Sequence, residues 1–428
     1  MLKGSFRWPA ALAAMAAAAV LAAVPIAGVL AAAKPAFGTA VAVPLPANSA
    51  KPPYAALAAV TCTGNRACVA GGNYTDAASG THPWVATQAG SRWKQATELR
   101  LPADAAADPS AFANITGVGC VKASSCVAVG LYRNTAGDSR LLIFTGSGTR
   151  WSAPLAPALP PGAQSGKLNA VSCTAAGFCA AVGEYVNAAN HILPIAITRP
   201  AGKPWSAVRV LPLPGDAGVG QPGELTGISC PAASSCVAVG HYYTSTAVRM
   251  LVLVLSGARW QAIGVTPPAG AATYPPADLA AVSCAKAGTC LAIGTYYLQS
   301  NLHAHGVSVA VTNGRPGPAG IISALPAGGV EGPDTSFRGV SCAPSGPCVA
   351  VGSAANKAGH SVAMYLVRSG GKWAGSLLGQ PANAETGSLQ RSLLEGVACT
   401  GTGHCTTAGY YTTAGSNGQT SADAASTG

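Results

Sequence analysis

The sequence predicts an all-β protein folded as a seven-bladed β-propeller, with four antiparallel strands in each blade. Three observations predict this fold. A motif with two cysteines occurs seven times, successive copies begin 53 to 58 residues apart, and each copy is followed by a second pair of short apolar runs. Equal units with four strand patterns are typical of sheets arranged radially and closed into a ring. A closed ring would place residues 34–428 in a single domain.

The first half of each unit predicts a β-hairpin, whose strands we name a and b. A large apolar residue lies five positions before the first cysteine, alanine or glycine lies three before it, and glycine lies four after the second cysteine. Short β-branched runs on either side of a small-residue turn favour a hairpin. The obligatory small residues indicate crowded backbones, as on an innermost strand. The copies begin at Leu57, Ile115, Leu168, Leu225, Leu279, Phe337 and Leu394.

The second half of each unit predicts strands c and d, joined by a tight turn. In five units an apolar run is followed by a glycine-containing turn and a tryptophan, as in LLIFTGSGTRW and MLVLVLSGARW. Glycine at this point favours a turn between two strands. The tryptophans are Trp93, Trp151, Trp205, Trp260 and Trp373.

All fourteen cysteines belong to seven Cys-x5-Cys pairs, one pair in each unit. An even number of cysteines, arranged as one pair in each repeat, predicts seven disulfides within the blades, of the kind found in exported proteins. A closed zinc site needs about four ligands, and no histidine accompanies the pairs regularly, so we expect no metal site. The pairs are Cys62–Cys68, Cys120–Cys126, Cys173–Cys179, Cys230–Cys236, Cys284–Cys290, Cys342–Cys348 and Cys399–Cys405.

The N-terminus predicts export. Lys3 and Arg7 precede a long Ala/Val/Leu-rich stretch that ends in Ala31-Ala32-Ala33. This is the pattern of a secretory signal peptide over residues 1–33, with an uncleaved membrane anchor as the alternative. After cleavage we expect no membrane span, and a secreted or cell-surface location.

Residues 36–46 predict how the ring closes. The segment FGTAVAVPLP is similar to WSAVRVLPLP of the third unit, where a strand d is expected. The seventh unit has only enough chain for strands a, b and c. We therefore expect residues 36–46 to supply strand d of the last blade, beside residues 418–427.

Two resemblances support the same fold. The VSC-x5-CVAVG pattern resembles exported bacterial repeat proteins with a propeller-like pattern. The turns TGSGTRW, LSGARW and RSGGKW resemble degenerate Asp-box turns of sialidase-like and photosystem-assembly-factor-like propellers. Glycine and tryptophan match, but the aspartate is absent from every copy. An Asp-box is a structural turn, so the resemblance implies a fold and no catalytic residue.

Candidate ligand-binding residues lie where strand a starts and strand b ends. In a four-stranded meander these ends meet on one face, so they surround one mouth of the central channel. Variable polar residues on a regular scaffold are where binding specificity is expected. We name nine of them the mouth residues: Lys167, Glu184, Glu224, His241, Tyr243, Asp278, Tyr297, Arg338 and Glu395.

The mouth residues leave two interpretations open. Glu224 and Asp278 occupy the same position in consecutive blades, where carboxylates could act as acid and base on a sugar, or bind a cation. Alternatively, they bond loop amides or face solvent. The tyrosines after strand b could stack on sugars or bind peptides, or could pack between blades. We expect the second tyrosine of each pair, namely Tyr243, Tyr297 and Tyr411, to be the more exposed.

Charge and motifs exclude several function classes. The formal net charge of +11 falls to +9 without Lys3 and Arg7, and the basic residues are scattered. This predicts attraction to acidic wall polymers but no nucleic-acid interface. The sequence has no convincing Ser-His-Asp set, P-loop, zinc motif or dinucleotide fingerprint, so we expect no cofactor.

These observations favour a non-enzymatic binding module, a monomer, whose partner is a cell-wall glycan or an extracellular protein. The alternatives are an extracellular polysaccharide-active enzyme, a glycosidase or lyase with its site at the channel mouth, and a purely structural or assembly role. Converging polar side chains with carboxylates about 5–10 Å apart would favour the enzyme. A flat tyrosine-rich face would favour binding.

Overall fold

The structure is a computed structural model that describes residues 35–427, apart from residues 95, 221, 331, 345 and 402. The predicted signal peptide lies outside the described residues. The described residues all belong to the unit Lys34–Gly428. They contain no helix and form seven antiparallel sheets with strands in the order a-b-c-d. The seven-bladed propeller is therefore confirmed.

Strands a and b form the inner hairpin of every blade, and the strands a of all seven blades line one central cavity. In blade order, strand a comprises Ala55–Gly64, Ala113–Lys122, Ser165–Cys173, Gly223–Ala232, Asp278–Lys286, Ser336–Cys342 and Ser392–Thr400. Strand b comprises Ala67–Thr75, Ser125–Arg133, Cys179–Val186, Ser235–Tyr243, Thr289–Tyr297, Cys348–Asn356 and His404–Thr412.

Strands c and d form the outer part of each blade. Strand c comprises Thr81–Ala89, Ser139–Ser147, Ile192–Arg199, Val248–Ser256, Ala304–Thr312, Ser361–Ser369 and Thr420–Ser426. Strand d is shorter and is divided in blades 1 and 5. It comprises Arg92–Trp93 with Thr97–Glu98, Arg150–Trp151, Arg209–Val210, Arg259–Val265, Arg315–Pro316 with Gly320–Ile322, Lys372–Leu377 and, in blade 7, Val41–Ala42. A further short strand, Gly329–Val330, pairs with strand b of blade 6.

All seven predicted disulfides are present, one in each blade. Each joins strand a to strand b across the hairpin turn. In the chain-entropy description, closing so short a loop stabilises the folded state by about 2–3 kcal/mol per bond. Disulfides persist in oxidising compartments, so these seven indicate an extracellular or secreted protein. Within the part of the chain that the structure describes, no helix is long and apolar enough to cross a membrane.

Every strand a contains a β-bulge directly after its large apolar residue. In blade 4, Leu225 pairs with Gly240 and Gly227 pairs with Val239, so Thr226 is the unpaired bulge residue. A Cβ atom at Gly240 would overlap the carbonyl oxygen of Glu224, and the equivalent overlap occurs in the other six blades. The close backbone approach explains why this position is always glycine.

Neighbouring blades are joined through the residues that precede the first cysteine. A Cβ atom at Gly227 would lie 3.0 Å from the Cα atom of Ala281 in the next blade, which confirms the crowding expected at the small-residue position. One position before the cysteine, Ser229 Oγ accepts a hydrogen bond of 3.0 Å from the amide of Cys284 in the next blade. The same bond is made by Ser172, Ser283 and Ser341.

Blade 7 is built from both ends of the described chain. Val41–Ala42 pairs antiparallel with Asp423 and Ala424 of strand c. Phe37 forms a bridge with Thr427, and the amide of Val43 donates to the carbonyl of Ala422 at 3.0 Å. The predicted closure of the last blade by the N-terminal strand is confirmed, and it holds the first and last blades in one ring.

Candidate functional site

A central cavity of about 310 Å³ opens inside the ring, and all seven β-bulge residues line it. A bulge re-aims its side chain because the extra residue is released from the ladder. Here each blade directs one side chain toward the channel. The seven bulge residues are Ala58, Thr116, Asn169, Thr226, Ala280, Arg338 and Glu395.

In blades 2 to 4 the bulge side chains hold neighbouring blades together. Thr116 Oγ1 donates to the carbonyl of Leu168 at 2.5 Å, and Thr226 Oγ1 donates to the carbonyl of Leu279 at 2.5 Å. Asn169 Nδ2 bonds the carbonyl of Leu225 at 2.8 Å in the same way. These three residues therefore have a structural role, which the sequence did not indicate.

In blades 5 to 7 three charged side chains line the same cavity: Asp278, Arg338 and Glu395. Burial raises the pKa of the Asp278 carboxyl, and His241 and Arg338 oppose that rise. Burial also raises the pKa of Glu395, opposed by Arg338. Arg338 itself is exposed, and it belongs to the blade between the two that carry the carboxyls. Its guanidinium therefore influences both carboxyls while remaining accessible to a ligand.

Lys167 on strand a and Glu184 on strand b of blade 3 form an ion pair, with Lys167 Nζ and Glu184 Oε1 2.9 Å apart. Asn169 Nδ2 donates a second bond of 2.7 Å to Glu184 Oε2. Glu184 is buried, and burial raises its pKa to about 7 despite the opposing Lys167 ammonium. Burial lowers the pKa of Lys167, but Glu184 and Glu224 outweigh it and the net shift is upward. Glu184 thus orients Lys167 and Asn169, and is poorly placed to contact a ligand itself.

Glu224 and His241 face each other across blade 4, with Glu224 Oε1 and His241 Nδ1 3.5 Å apart. The His241 ring packs edge-on against Tyr243, with centroids 5.6 Å apart. Both members of the pair are partly exposed, at 29% for Glu224 and 13% for His241. These groups therefore remain within reach of a ligand at the mouth.

The charged residues of the mouth come from five consecutive blades, and the other two blades are neutral there. Blades 1 and 2 contribute neutral residues at the equivalent positions, namely Ala56, Ala58, Asn114 and Thr116. Blades 3 to 7 carry the charged groups, which we name the charged arc: Lys167, Glu224, His241, Asp278, Arg338 and Glu395. An arc of both signs can hold a polar ligand by charge-assisted hydrogen bonds in one orientation.

Most of the tyrosines predicted to follow strand b lie in its last residues and are structural. Tyr74, Tyr132, Tyr242 and Tyr411 are buried, and each hydroxyl lies within hydrogen-bond distance of a side chain of the loop that enters the same blade: Asn48, Asp104, Asp216 and Asn383. Tyr185 and Tyr296 are also buried. The expected exposure of Tyr411 is wrong. The pair Tyr410-Tyr411 begins one position closer to the strand b glycine than the pair Tyr242-Tyr243, so Tyr411 occupies the buried position that Tyr74 has in blade 1. Tyr243 and Tyr297 are partly exposed.

Two exposed tyrosines near the mouth were missed in the sequence. Tyr274 is 80% exposed and Tyr54 is 51% exposed, and both precede a strand a. Burial, then Glu224, then Tyr274 raise the pKa of the Tyr243 hydroxyl, so Tyr274 lies close to the arc. The available signal was composition: each lies beside two prolines, in KPPY and TYPP, which favour a rigid exposed loop.

Comparison with known proteins identifies no family for this chain. No family model matches the chain, and no curated protein matches it. A lectin from Burkholderia pseudomallei is 14% identical, with a TM-score of 0.49, covering 88% of this chain and 98% of the lectin. An α-L-arabinofuranosidase of Fusarium graminearum, solved with arabinobiose, is 11% identical, with a TM-score of 0.48, covering 91% of this chain and 97% of its own. A Hadza microbial sialidase is 9% identical, with a TM-score of 0.43, and the match covers 76% of this chain and 66% of the sialidase. At these values no activity is transferred.

Proposed function

We propose that this protein is an exported, non-enzymatic binding module that holds a glycan at the mouth of its central channel. One observation carries the proposal. The bulge positions that line the cavity differ from blade to blade and include the charged Arg338 and Glu395, whereas the strands around them repeat closely. Variation limited to ligand-accessible positions of a constant scaffold is the usual arrangement of a binding site.

The chemistry of the mouth suits a carbohydrate. Arg338, Glu395 and Asp278 offer donors and acceptors for hydroxyl groups within one cavity. Tyr274 and Tyr54 add exposed aromatic rings, which can pack on the apolar face of a sugar. The net charge of +9 without residues 1–33 would draw anionic wall polymers toward the protein.

The proposal is tested by measuring binding of residues 34–428 to a glycan array and to isolated cell-wall fractions. We expect saturable binding that falls at least tenfold in Arg338→Gln and in the double variant Tyr243→Ala/Tyr274→Ala. A tenfold loss corresponds to about 1.4 kcal/mol, a typical size for one charged hydrogen bond or one aromatic contact.

Arg259→Gln is the matched control, because Arg259 is exposed at a c–d turn, on the face opposite the mouth. It removes the same charge and should leave binding unchanged. Glycan binding that survives both mouth variants would contradict the proposal. Absence of binding to any glycan or wall fraction, with capture of an extracellular protein through Arg338, would replace the glycan with a protein ligand.

A polysaccharide-active enzyme is the second candidate, favoured by the raised pKa values of Asp278 and Glu395 in one cavity. A buried carboxyl with a raised pKa can act as a general acid. If so, the protein should release reducing ends or unsaturated products from a bound polysaccharide. Asp278→Asn and Glu395→Gln would then abolish turnover while binding persists. Binding without product release by the unaltered protein would exclude this candidate.

A further inference from the structure

A second polar cluster lies at blade 1, and none of its residues lines the central cavity. Asp76 comes from the b–c turn, His82 from strand c, Glu98 from strand d, and Asp108 from the loop that leads to blade 2. These residues are separated along the chain and share no motif spacing, so the cluster was not predicted from the sequence.

The His82 imidazole is surrounded by carboxylates on both of its nitrogens. Nε2 lies 3.0 Å from Asp108 Oδ1 and 3.7 Å from Asp76 Oδ2. On the other side, Nδ1 lies 3.4 Å from Glu98 Oε1. His82 and Asp76 are largely buried, each with 12% of the side chain exposed. One donor atom each from Asp76, His82 and Asp108 can be chosen so that all three lie within 4.8 Å of one another.

These separations fit a small divalent cation. Bonds of about 2.0–2.2 Å from a tetrahedral zinc ion place its ligands about 3.3 Å apart. The two measured separations from Nε2 lie on either side of that value, so small side-chain movements would suffice. Imidazole together with carboxylate ligands favours a first-row transition ion over Ca²⁺ or Mg²⁺, which take oxygen ligands.

Glu98 supplies the outer contact that a ligating histidine usually has. A metal-bound imidazole commonly donates its second N–H to a carboxylate, which fixes the ring and its tautomer. Glu98 is itself held in place, because the Tyr74 hydroxyl donates to Glu98 Oε2 at 2.7 Å and Asn48 Nδ2 donates to the same oxygen at 3.2 Å. The ring orientation that the ion needs is therefore present beforehand.

The cluster also lacks compensating charge. Among the described residues, no lysine or arginine forms an ion pair with Asp76, Glu98 or Asp108. Three carboxylates face one imidazole, which carries at most a single positive charge. A bound divalent ion would offset the excess negative charge.

Other blades show which part of the cluster the fold itself requires. Asp76 Oδ1 accepts the amides of Ala78 and Gly80, and this closes the b–c turn. Blades 2, 3 and 6 close the same turn with the amide oxygens of Asn134, Asn187 and Asn356. Closing the turn thus needs only one side-chain oxygen, so the second carboxylate oxygen of Asp76, Oδ2, is not required by the turn. It faces His82.

Gly80 distinguishes blade 1 further. A Cβ atom at Gly80 would lie 2.7 Å from His82 Nε2 and would overlap Asp108 Oδ1. The equivalent positions are Asp138, His191 and His360, all with side chains. Among these four turns, only that of blade 1 has no side chain at this position, which leaves room for the Asp108 carboxylate beside His82.

We propose that Asp76, His82 and Asp108 bind a divalent transition-metal ion such as Zn²⁺, with Glu98 orienting His82. The ion ties the b–c turn of blade 1 to the loop that enters blade 2. With three protein ligands, one position remains for water or for a ligand group.

The test titrates Zn²⁺ into metal-free residues 34–428 by calorimetry and follows the melting temperature. We expect one saturable site with a Kd at or below the micromolar range and a higher melting temperature when the ion is bound. All fourteen cysteines are in disulfides, so no thiolate competes for the ion.

Asp76→Asn is the most informative variant, because asparagine closes the same turn in three other blades. It should keep the metal-free melting temperature and weaken Zn²⁺ binding at least tenfold, and His82→Gln should abolish the site. Asp138→Asn removes the same charge from the corresponding turn of blade 2, where it breaks the ion pair with Arg140, and should leave Zn²⁺ binding unchanged. The proposal is overturned if the unaltered protein has no saturable Zn²⁺ site with a Kd below about 100 μM, which would be a weak affinity for three protein ligands. It is also overturned if Asp76→Asn and His82→Gln both bind Zn²⁺ as tightly as the unaltered protein does. Binding of Ca²⁺ in preference to Zn²⁺ would overturn the assigned metal class.

Discussion

At the scale of single residues, the positions that break the repeat are the most informative. One strand c position pairs with the glycine that follows the second cysteine by four residues, and it is Asp423 in blade 7. In the other six blades it is apolar: Trp84, Leu142, Ile195, Leu251, Val307 and Met364. Asp423 is fully buried, and neither carboxyl oxygen has a hydrogen-bond partner among the described residues. Burial raises its pKa to about 7.

This raised pKa makes stability depend on pH. An aspartate in an unfolded chain has a pKa of about 3.9, so between about pH 4 and 7 the folded state holds a proton that the unfolded state has lost. Stability from this group therefore falls as pH rises through that window, by at most about 1.4 kcal/mol per pH unit, and changes little above it.

Asp423→Asn should remove that dependence. Asparagine has nearly the same shape and stays neutral, so we expect the variant to be more stable at pH 8 by on the order of 4 kcal/mol. At pH 4.5 the difference should be at most about 1 kcal/mol. Urea unfolding at the two pH values measures both effects, with Asp334→Asn at an exposed position as control. Equal gains at both pH values would contradict a buried, titrating carboxyl.

At the scale of the element, the β-bulge in strand a links folding to function. It places one side chain of each blade in the channel, and it brings the carbonyl of the preceding residue against the glycine of strand b. The motif was recognised from the sequence as a disulfide hairpin. The bulge was not, because an extra unpaired residue leaves the spacing of conserved positions unchanged from blade to blade.

Gly240→Ala tests the bulge in blade 4. Because its Cβ atom would overlap the Glu224 carbonyl, we expect a loss of about 1–3 kcal/mol in the free energy of unfolding, the range of overpacked sites. Gly215→Ala is the matched control, since no atom lies within 4 Å of a Cβ at that glycine and the change should stay within about 0.5 kcal/mol. A loss at Gly240 as small as that of the control would show that strand a does not need the bulge.

At the scale of the whole molecule, stability depends on joining the two ends of the ring. Blade 7 takes three strands from residues 392–426 and its outer strand from Val41–Ala42. The inner strands of adjacent blades contact each other around the full circle, with the strand Ala55–Gly64 packed against Ser392–Thr400. Opening the closure would therefore weaken the contact between blades 7 and 1.

Deleting residues 34–46 should open that closure. The strand Thr420–Ser426 would lose its outer partner and present an unpaired edge, which favours association with other chains. Compared with residues 34–428, we expect a lower melting temperature and oligomers that increase with protein concentration in light scattering. A monodisperse monomer with an unchanged melting temperature would show that the outer strand is dispensable.

The sequence by itself determined the repeat, the number of blades, the cysteine pairs and the strand that closes the ring. These features follow from local patterns and spacing: Cys62 and Cys68 are six residues apart, and residues 36–46 resemble another strand d. The same reasoning identified Asp278, Arg338 and Glu395 as positions at the channel mouth, since equivalent places in a repeat occupy equivalent places in space.

Only the tertiary structure decided what each of these residues contacts. Contacts between blades join residues more than fifty positions apart, such as Ser229 with Cys284, and no local pattern specifies which neighbour a side chain meets. For the same reason the cluster around His82 was not predicted: its residues come from a turn, two strands and the loop that follows them, and they meet only in the folded blade.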